Sequence, residues 1–119
     1  MGVCYQDLKV WHKAISLIEI VYQVSKSFPS TETFGLTNQI RRAAISIASN
    51  IAEGAARRSQ REFSQFISIA LGSLAEVETQ LIIANRLGYC ESKNLTTGID
   101  VASEVGKMLH GLSRSLNNN

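Results

Sequence analysis

Five arginines in one stretch of the chain are the residues best suited to chemistry with another molecule. Arg41 and Arg42 open the segment "QIRRAAISIASNIAEGAARRSQREF", and Arg57, Arg58 and Arg61 crowd its far end. A guanidinium is planar, stays charged, and holds a phosphate or carboxylate with two parallel hydrogen bonds. Thr37 to Arg61 carries these five cations against one acid, Glu53, a net +4 in a chain whose total is +2; the remainder is therefore −2. Arg42 and Arg58 are sixteen residues apart, about 24 Å along a helix at 1.5 Å per residue. The two groups thus make a long surface rather than one compact patch, and a ring of subunits would repeat each group around its rim. Contact with nucleic-acid backbone, RNA or DNA, with little sequence preference is the chemistry this predicts. The competing reading is a solvated turn in which Glu53 and Glu62 are local partners. No aromatic lies inside the Arg57–Arg61 turn, and Phe63 and Phe66 are expected in the core, so no base-stacking platform is expected there.

Between the two arginine groups runs a polar strip of Ser46, Ser49, Asn50 and Glu53. Asn50 and Glu53 are three apart and share a helical face. A catalytic acid or amide is one reading. Asn is a poor helix former, and the reading favoured here is a structural polar network at a helix or subunit interface, built on Ser46, Asn50 and Glu53.

Other chemistries find less support. A bundle di-metal site needs Glu and Glu-x-x-His, and neither His12 nor His110 has Glu three residues before it. Glu76 and Glu78 are two apart and point to different faces, so no metal site is expected. Cys4 and Cys90 lack C-x-x-C spacing and any His nearby in sequence, which suits free thiols in a reducing cytoplasm better than catalysis or a disulfide. No glycine-rich phosphate loop is present, since "LGSLAE" reads as helix, with Gly72 and Ser73 allowing close packing. No enzymatic activity and no cofactor are expected.

The elements that position these residues read as helices. At 119 residues, with 45% hydrophobic residues and one Pro, the chain is expected to form one all-α domain spanning 1–119. No apolar run approaches the ~20 residues of a bilayer span, and "MGVCYQDLK" has neither a signal-peptide pattern nor, with Gln6, a myristoylation motif. The expected helices are about 8–27, 35–55, 59–87 and 92–115. Leu8, Trp11, Ile15, Ile18 and Tyr22 form the expected inward stripe of the first, with Trp11 filling the core. Leu36, Ile40, Ala44, Ile47 and Ile51 do so in the second, which Gly54 should end. Ser59-x-x-Glu62 is a capping box that starts the third. Its face is Phe63, Phe66, Ile67, Ala70, Leu71, Leu74, Val77 and Leu81, and Gly88 ends it. Leu95, Ile99, Ala102, Val105, Leu109 and Leu112 line the fourth, which Gly98, Gly106 and Gly111 weaken. Four amphipathic segments with short connections predict an antiparallel up-and-down four-helix bundle. Apolar residues off the main stripes (Val10, Leu17, Ile20, Val24, Ile45, Ala48, Ala52, Ile69 and Ile83) predict a second apolar surface and hence a homo-oligomer.

"LKVWHKAISLIEIVYQVSKSFP", "FGLTNQIRRAAISIASNIAEG" and "SQREFSQFISIALGSLAEVETQLIIANRLGY" resemble the bacterial four-helix-bundle proteins encoded in intervening sequences of 23S ribosomal RNA genes. The likeness covers about Asp7 to Tyr89, and the fourth helix adds little to it. That resemblance implies a homopentamer. It also brings in the accessory variability determinants of diversity-generating retroelements, which associate with a reverse transcriptase and bind nucleic acid through a basic surface. For this chain it implies a non-enzymatic oligomeric adaptor for RNA or DNA. The alternative is a scaffold for an acidic or reverse-transcriptase-like partner protein, with no membrane role. One departure is Ala48, where the family commonly has Pro. Pro removes a backbone donor and bends a helix, so the second helix here is expected to run straighter.

Overall fold

The computed structural model describes residues 3–117. Four helices follow one another: α1 (Lys9–Ser25), α2 (Leu36–Ala55), α3 (Gln60–Arg86) and α4 (Ser92–Asn117), with short 3-10 turns at Tyr5–Asp7 and Ser30–Glu32. Each helix packs on the next and α4 returns to α1, while neither diagonal pair packs among the described residues. With connections this short, that pattern is an up-and-down antiparallel bundle, 46 × 24 × 20 Å.

The expected stripes of α2, α3 and α4 are inward. Ile40, Ala44, Ile47 and Ile51 meet Ile67, Ala70, Leu74, Val77 and Leu81, with Ala102, Val105 and Leu109 closing the core. In α1 the expectation is inverted. Val10, Ala14, Leu17, Val21 and Val24 are the buried residues, whereas Trp11, Ile15 and Ile18 are half-buried and Tyr22 is exposed. Both stripes are apolar, so periodicity could not choose between them. Packing chooses the narrower one, because Ala14 and three valines let neighbouring helices approach closely. Trp11 therefore flanks the core instead of filling it, and touches Tyr5 with ring centroids 5.0 Å apart. Val10, Leu17 and Val24, and Ala48 of α2, all expected on a second surface, are spent on the monomer's own core.

The helix ends carry their own causes. Ser59 Oγ accepts from the Glu62 amide at 3.1 Å, the expected N-cap of α3. Gly88, at φ 77°, follows α3; its amide donates to Asn85 O and that of Tyr89 donates to Ala84 O, a Schellman pair. Gly54 does not end α2. It lies inside the helix, and a Cβ there would sit 2.7 Å from Phe66 Cβ and 2.9 Å from Phe63 Cδ1. Its role is close approach of α2 to α3. Gly98 and Gly106 do the same for α4, against Leu81 and Leu74. Gly72, expected to permit close packing, is exposed with nothing near its Cβ position.

The end of the bundle near the α1–α2 connection is fastened by Glu32. One carboxylate oxygen accepts from the Leu36 amide at 3.1 Å, placing negative charge at the N-terminus of α2. The other accepts from Tyr89 Oη at 3.0 Å, which joins the α1–α2 connection to the α3–α4 turn. Among the described helices α3 is long and apolar enough to cross a membrane by length and composition. One stripe of it is buried inside the bundle, while its outward positions carry Glu76 and Thr79 together with exposed Ile69, Ile82 and Ile83.

Candidate nucleic-acid interface

The arginines divide into tied and free. Arg41 is tied. Its Nε donates to Ser25 Oγ at 2.8 Å, and its guanidinium lies over the Tyr22 ring, 4.4 Å from the centroid. This side chain clamps α2 to α1, committing its Nε to Ser25 and one Nη2 contact to Tyr22 O at 3.5 Å. Arg57 is partly engaged, 3.8 Å from Glu53 and over Phe66 at 4.9 Å. Both partners are within the i,i+4 reach or the facing helix, so the contact is weak and open to water. Arg42, Arg58 and Arg61 are exposed and form no ion pair among the described residues.

Arg57, Arg58 and Arg61 come together because α2 ends at Ala55 and α3 begins at Gln60. The turn is four residues long, and Ser59 sets the entry angle of α3. The arginines thereby flank a helix N-terminus, whose free amide ends add positive potential. Arg42 stands apart, about 24 Å along α2 from Arg58 by helical rise.

The polar strip is partly as expected. Asn50 Nδ2 donates to Ser46 O and Ser46 Oγ at 2.8 and 2.9 Å. Ser73 Oγ, buried on α3, donates to Ser46 Oγ at 3.0 Å. The network therefore joins α2 to α3 inside one chain. Ser73 was not foreseen as a member; its position one residue after an exposed glycine hid that it faces α2. Glu53 is not a member. Its side chain is exposed and its partner is Arg57. Ser49 is also exposed, at the edge of an apolar groove of about 310 Å³ between α1 and α2, beside Trp11, Ile15, Ile18 and Ile45.

Among the described residues, neither histidine and neither cysteine gathers catalytic partners. His12 Nε2 lies 2.7 Å from Gln6 O and His110 is exposed. Cys90 is a buried free thiol, and burial pushes its pKa up, away from the reactive thiolate. Tyr89 is also pushed above its ordinary value, first by its hydrogen bond to Glu32, then by burial and the charge of that carboxylate. Among the described residues no three His, Cys, Asp or Glu side chains gather as metal ligands.

One aromatic escaped notice in the sequence. Phe34, just before α2, is 94% exposed. It borders a polar groove of about 530 Å³ between α2 and α3 that also contains Arg42, Glu76 and Gln80. The sequence signal was present in "TFGL", an aromatic ahead of a glycine in a connection, outside any helical stripe.

The family model described as 23S rRNA-intervening sequence protein matches residues 6–111, and the chain belongs to that family. The match runs beyond Tyr89 into α4, further than the motifs of α1 to α3 alone suggested. A crystal structure described as a protein with unknown function from the S23 ribosomal protein family of Bacteroides thetaiotaomicron has the same fold, with a TM-score of 0.80 and 24% identity. The similarity covers 87% of this chain and 97% of that one. No curated protein matches the chain.

Proposed function

We propose that this protein is a non-enzymatic homo-oligomeric adaptor that binds the backbone of RNA or DNA through its basic α2–α3 turn. The observation that carries the reading is the trio Arg57, Arg58 and Arg61, exposed around a helix N-terminus, with one weak intramolecular ion pair among them. Long-range attraction to phosphates needs such unneutralised charge. Membership in a family described by an rRNA intervening sequence supports the same reading.

The oligomer rests on apolar surface that the monomer leaves uncovered. Ile69, Ile82 and Ile83 stand out from α3, while Trp11, Ile15, Ile18 and Ile45 line the groove on the other side of α2. The two surfaces are different, so contact between them would be head-to-tail, a geometry that gives a ring where the rotation closes and a filament where it does not. A pentamer is the ring the family resemblance favours. It would carry five copies of the arginine trio around one rim. The second reading, a scaffold for an acidic partner protein, draws on the same exposed isoleucines and arginines.

The test is a salt titration of binding to a structured RNA and to a DNA duplex, with the wild type and an Arg58→Ala/Arg61→Ala double variant. Each lost phosphate contact removes about 0.9 from the slope of log affinity against log salt, so the pair should remove about 1.8. Absence of wild-type binding at about 50 mM salt would sink the nucleic-acid reading and favour the protein scaffold. Sedimentation equilibrium of the same samples measures the assembly, and a monomer at all concentrations would remove the ring.

A further inference from the structure

The basic turn has an extension on α4 that the five arginines do not reveal. Lys107, His110 and Arg114 recur at i, i+3 and i+7, so they share one helical face. All three are exposed, and neither cation forms an ion pair among the described residues. From Gly106 to Asn119 the chain contains no acid. Glu104, one turn before Lys107, is drawn to α1, where it pairs with Lys13 at 2.9 Å. Lys107 and His110 line a groove of about 390 Å³ between α3 and α4, with Glu78 also in its wall.

The bundle puts this face in line with the turn. Ser64 Oγ donates to Asn117 Oδ1 at 3.2 Å, so the C-terminal end of α4 lies against the second turn of α3. Arg61 stands one turn before Ser64 and Arg114 one turn before Asn117, each on the face that makes this contact. Beside Lys107, the Cβ position of Gly106 is 3.2 Å from Leu74 Cδ2, which holds the same antiparallel register. Arg61, Arg114, His110 and Lys107 therefore follow one another along the α3–α4 groove over about 20 Å, at 1.5 Å per residue. A purely structural account covers only part of this row. Arg114 is in the last turn of α4, where a cation complements the helix dipole. Lys107 lies more than two turns from that end, beyond the reach of the dipole.

Charge and side-chain type select the ligand. A row of cations attracts a row of anions, and regularly spaced phosphates match it. A protein partner would want an aromatic anchor, and α4 contains no Phe, Tyr or Trp. The row shares no residue with the exposed isoleucines of α3 or with the α1–α2 groove, the two surfaces that the ring would cover. We infer that Lys107, His110 and Arg114 form a second phosphate-contacting strip, so that a nucleic-acid backbone leaves the α2–α3 turn at Arg61 and runs along the α3–α4 groove. The inference rests on the nucleic-acid reading above and extends it from one turn to a track.

Two double variants of equal charge test it, titrated with salt on the same structured RNA and DNA duplex. Lys107→Gln/Arg114→Gln removes two cations from the strip. Lys26→Gln/Arg86→Gln removes two exposed cations from the opposite end of the bundle, after α1 and at the end of α3. All four side chains are exposed, so the core is left intact, which circular dichroism checks. The strip variant should lose about 1.8 of salt slope. Raising salt from about 50 to about 200 mM should then cost it about tenfold less affinity than it costs the wild type. The opposite-end variant should keep the wild-type slope. If the strip variant keeps that slope while Arg58→Ala/Arg61→Ala loses its share, the strip is overturned and the basic-turn reading stands. Equal losses in the strip and opposite-end variants would mean that binding follows net charge, and this too overturns the strip. If the wild type binds neither ligand at about 50 mM salt, both readings fall together.

Discussion

Two glycine-to-alanine changes in the same bundle should move its stability in opposite directions. At Gly54 a Cβ would fall 2.7 Å from Phe66 Cβ and 2.9 Å from Phe63 Cδ1. Phe66 Cβ is fixed to the α3 backbone and cannot swing aside, so α2 and α3 must separate. Overpacking of that kind costs about 1–3 kcal/mol, and with no soft neighbour the upper value applies. Alanine returns about 1 kcal/mol of helix propensity. The net loss is then about 2 kcal/mol. At Gly72 nothing lies within 4 Å of the Cβ position, so only the propensity gain of about 1 kcal/mol remains. For 119 residues the unfolding entropy is about 0.25 kcal/mol per kelvin. Gly54→Ala should therefore lower Tm by about 8 °C and Gly72→Ala raise it by about 4 °C. Thermal melts by circular dichroism at fixed protein concentration read both. A rise in Tm for both variants would refute the argument that α2 and α3 touch through Gly54. The concentration must be held fixed because any assembly adds its own stabilisation.

Two further outcomes follow from single contacts. Tyr89 has a raised pKa because its hydroxyl donates to Glu32. Its contribution is fully present below the unfolded pKa of 10.0 and is lost as pH rises through the higher folded value. Urea melts from pH 8 to 11 should show the wild type losing more stability above about pH 10 than Tyr89→Phe does; parallel profiles would contradict the clasp. Arg41→Ala removes the bond to Ser25 and the stacking on Tyr22. It should cost about 2 kcal/mol of stability yet leave the salt slope of nucleic-acid binding unchanged, and a lost unit of slope would return Arg41 to the phosphate surface.

Helix positions were legible because three independent signals agreed: a 3.6-residue stripe, Ser59 with Glu62 at one boundary, and Gly88 at another. The facing of α1 was not legible, and the reason is specific. Leu8–Trp11–Ile15–Ile18–Tyr22 and Val10–Ala14–Leu17–Val21–Val24 are both continuous apolar stripes. A hydropathy argument ranks the bulkier first, because it offers more area to bury. Close helix packing ranks the slimmer first, because interaxial distance is set by the side chains between the axes. Gly54, Gly98 and Gly106 point the same way. Three of the seven described glycines stand where a Cβ would press on a neighbouring helix, so this bundle is built around close approach, and a stripe of Ala and Val in α1 is consistent with it.

The candidate site was legible by residue type and illegible by occupancy. Five arginines in one stretch are visible in any reading of the chain. What decides their use is whether each already has a partner, and the partners are remote: Arg41 meets Ser25 and Tyr22 on the preceding helix, and Arg57 lies over Phe66 on the following one. A guanidinium held by a protein acceptor must break that bond before it can take a phosphate, so its net gain on binding is reduced by what it gives up. Arg42, Arg58 and Arg61 give up nothing but water. The five arginines expected from sequence as contacts are therefore unequal. Among them, Arg58 and Arg61 should dominate the salt slope, and Arg41 should be silent in binding and loud in stability. The same reasoning applies to the polar strip. Glu53, facing solvent, serves Arg57, whereas Ser46 and Asn50 bond to each other along α2 and are tied to α3 only because Ser73 arrives from it, a meeting that spacing along a single helix does not encode.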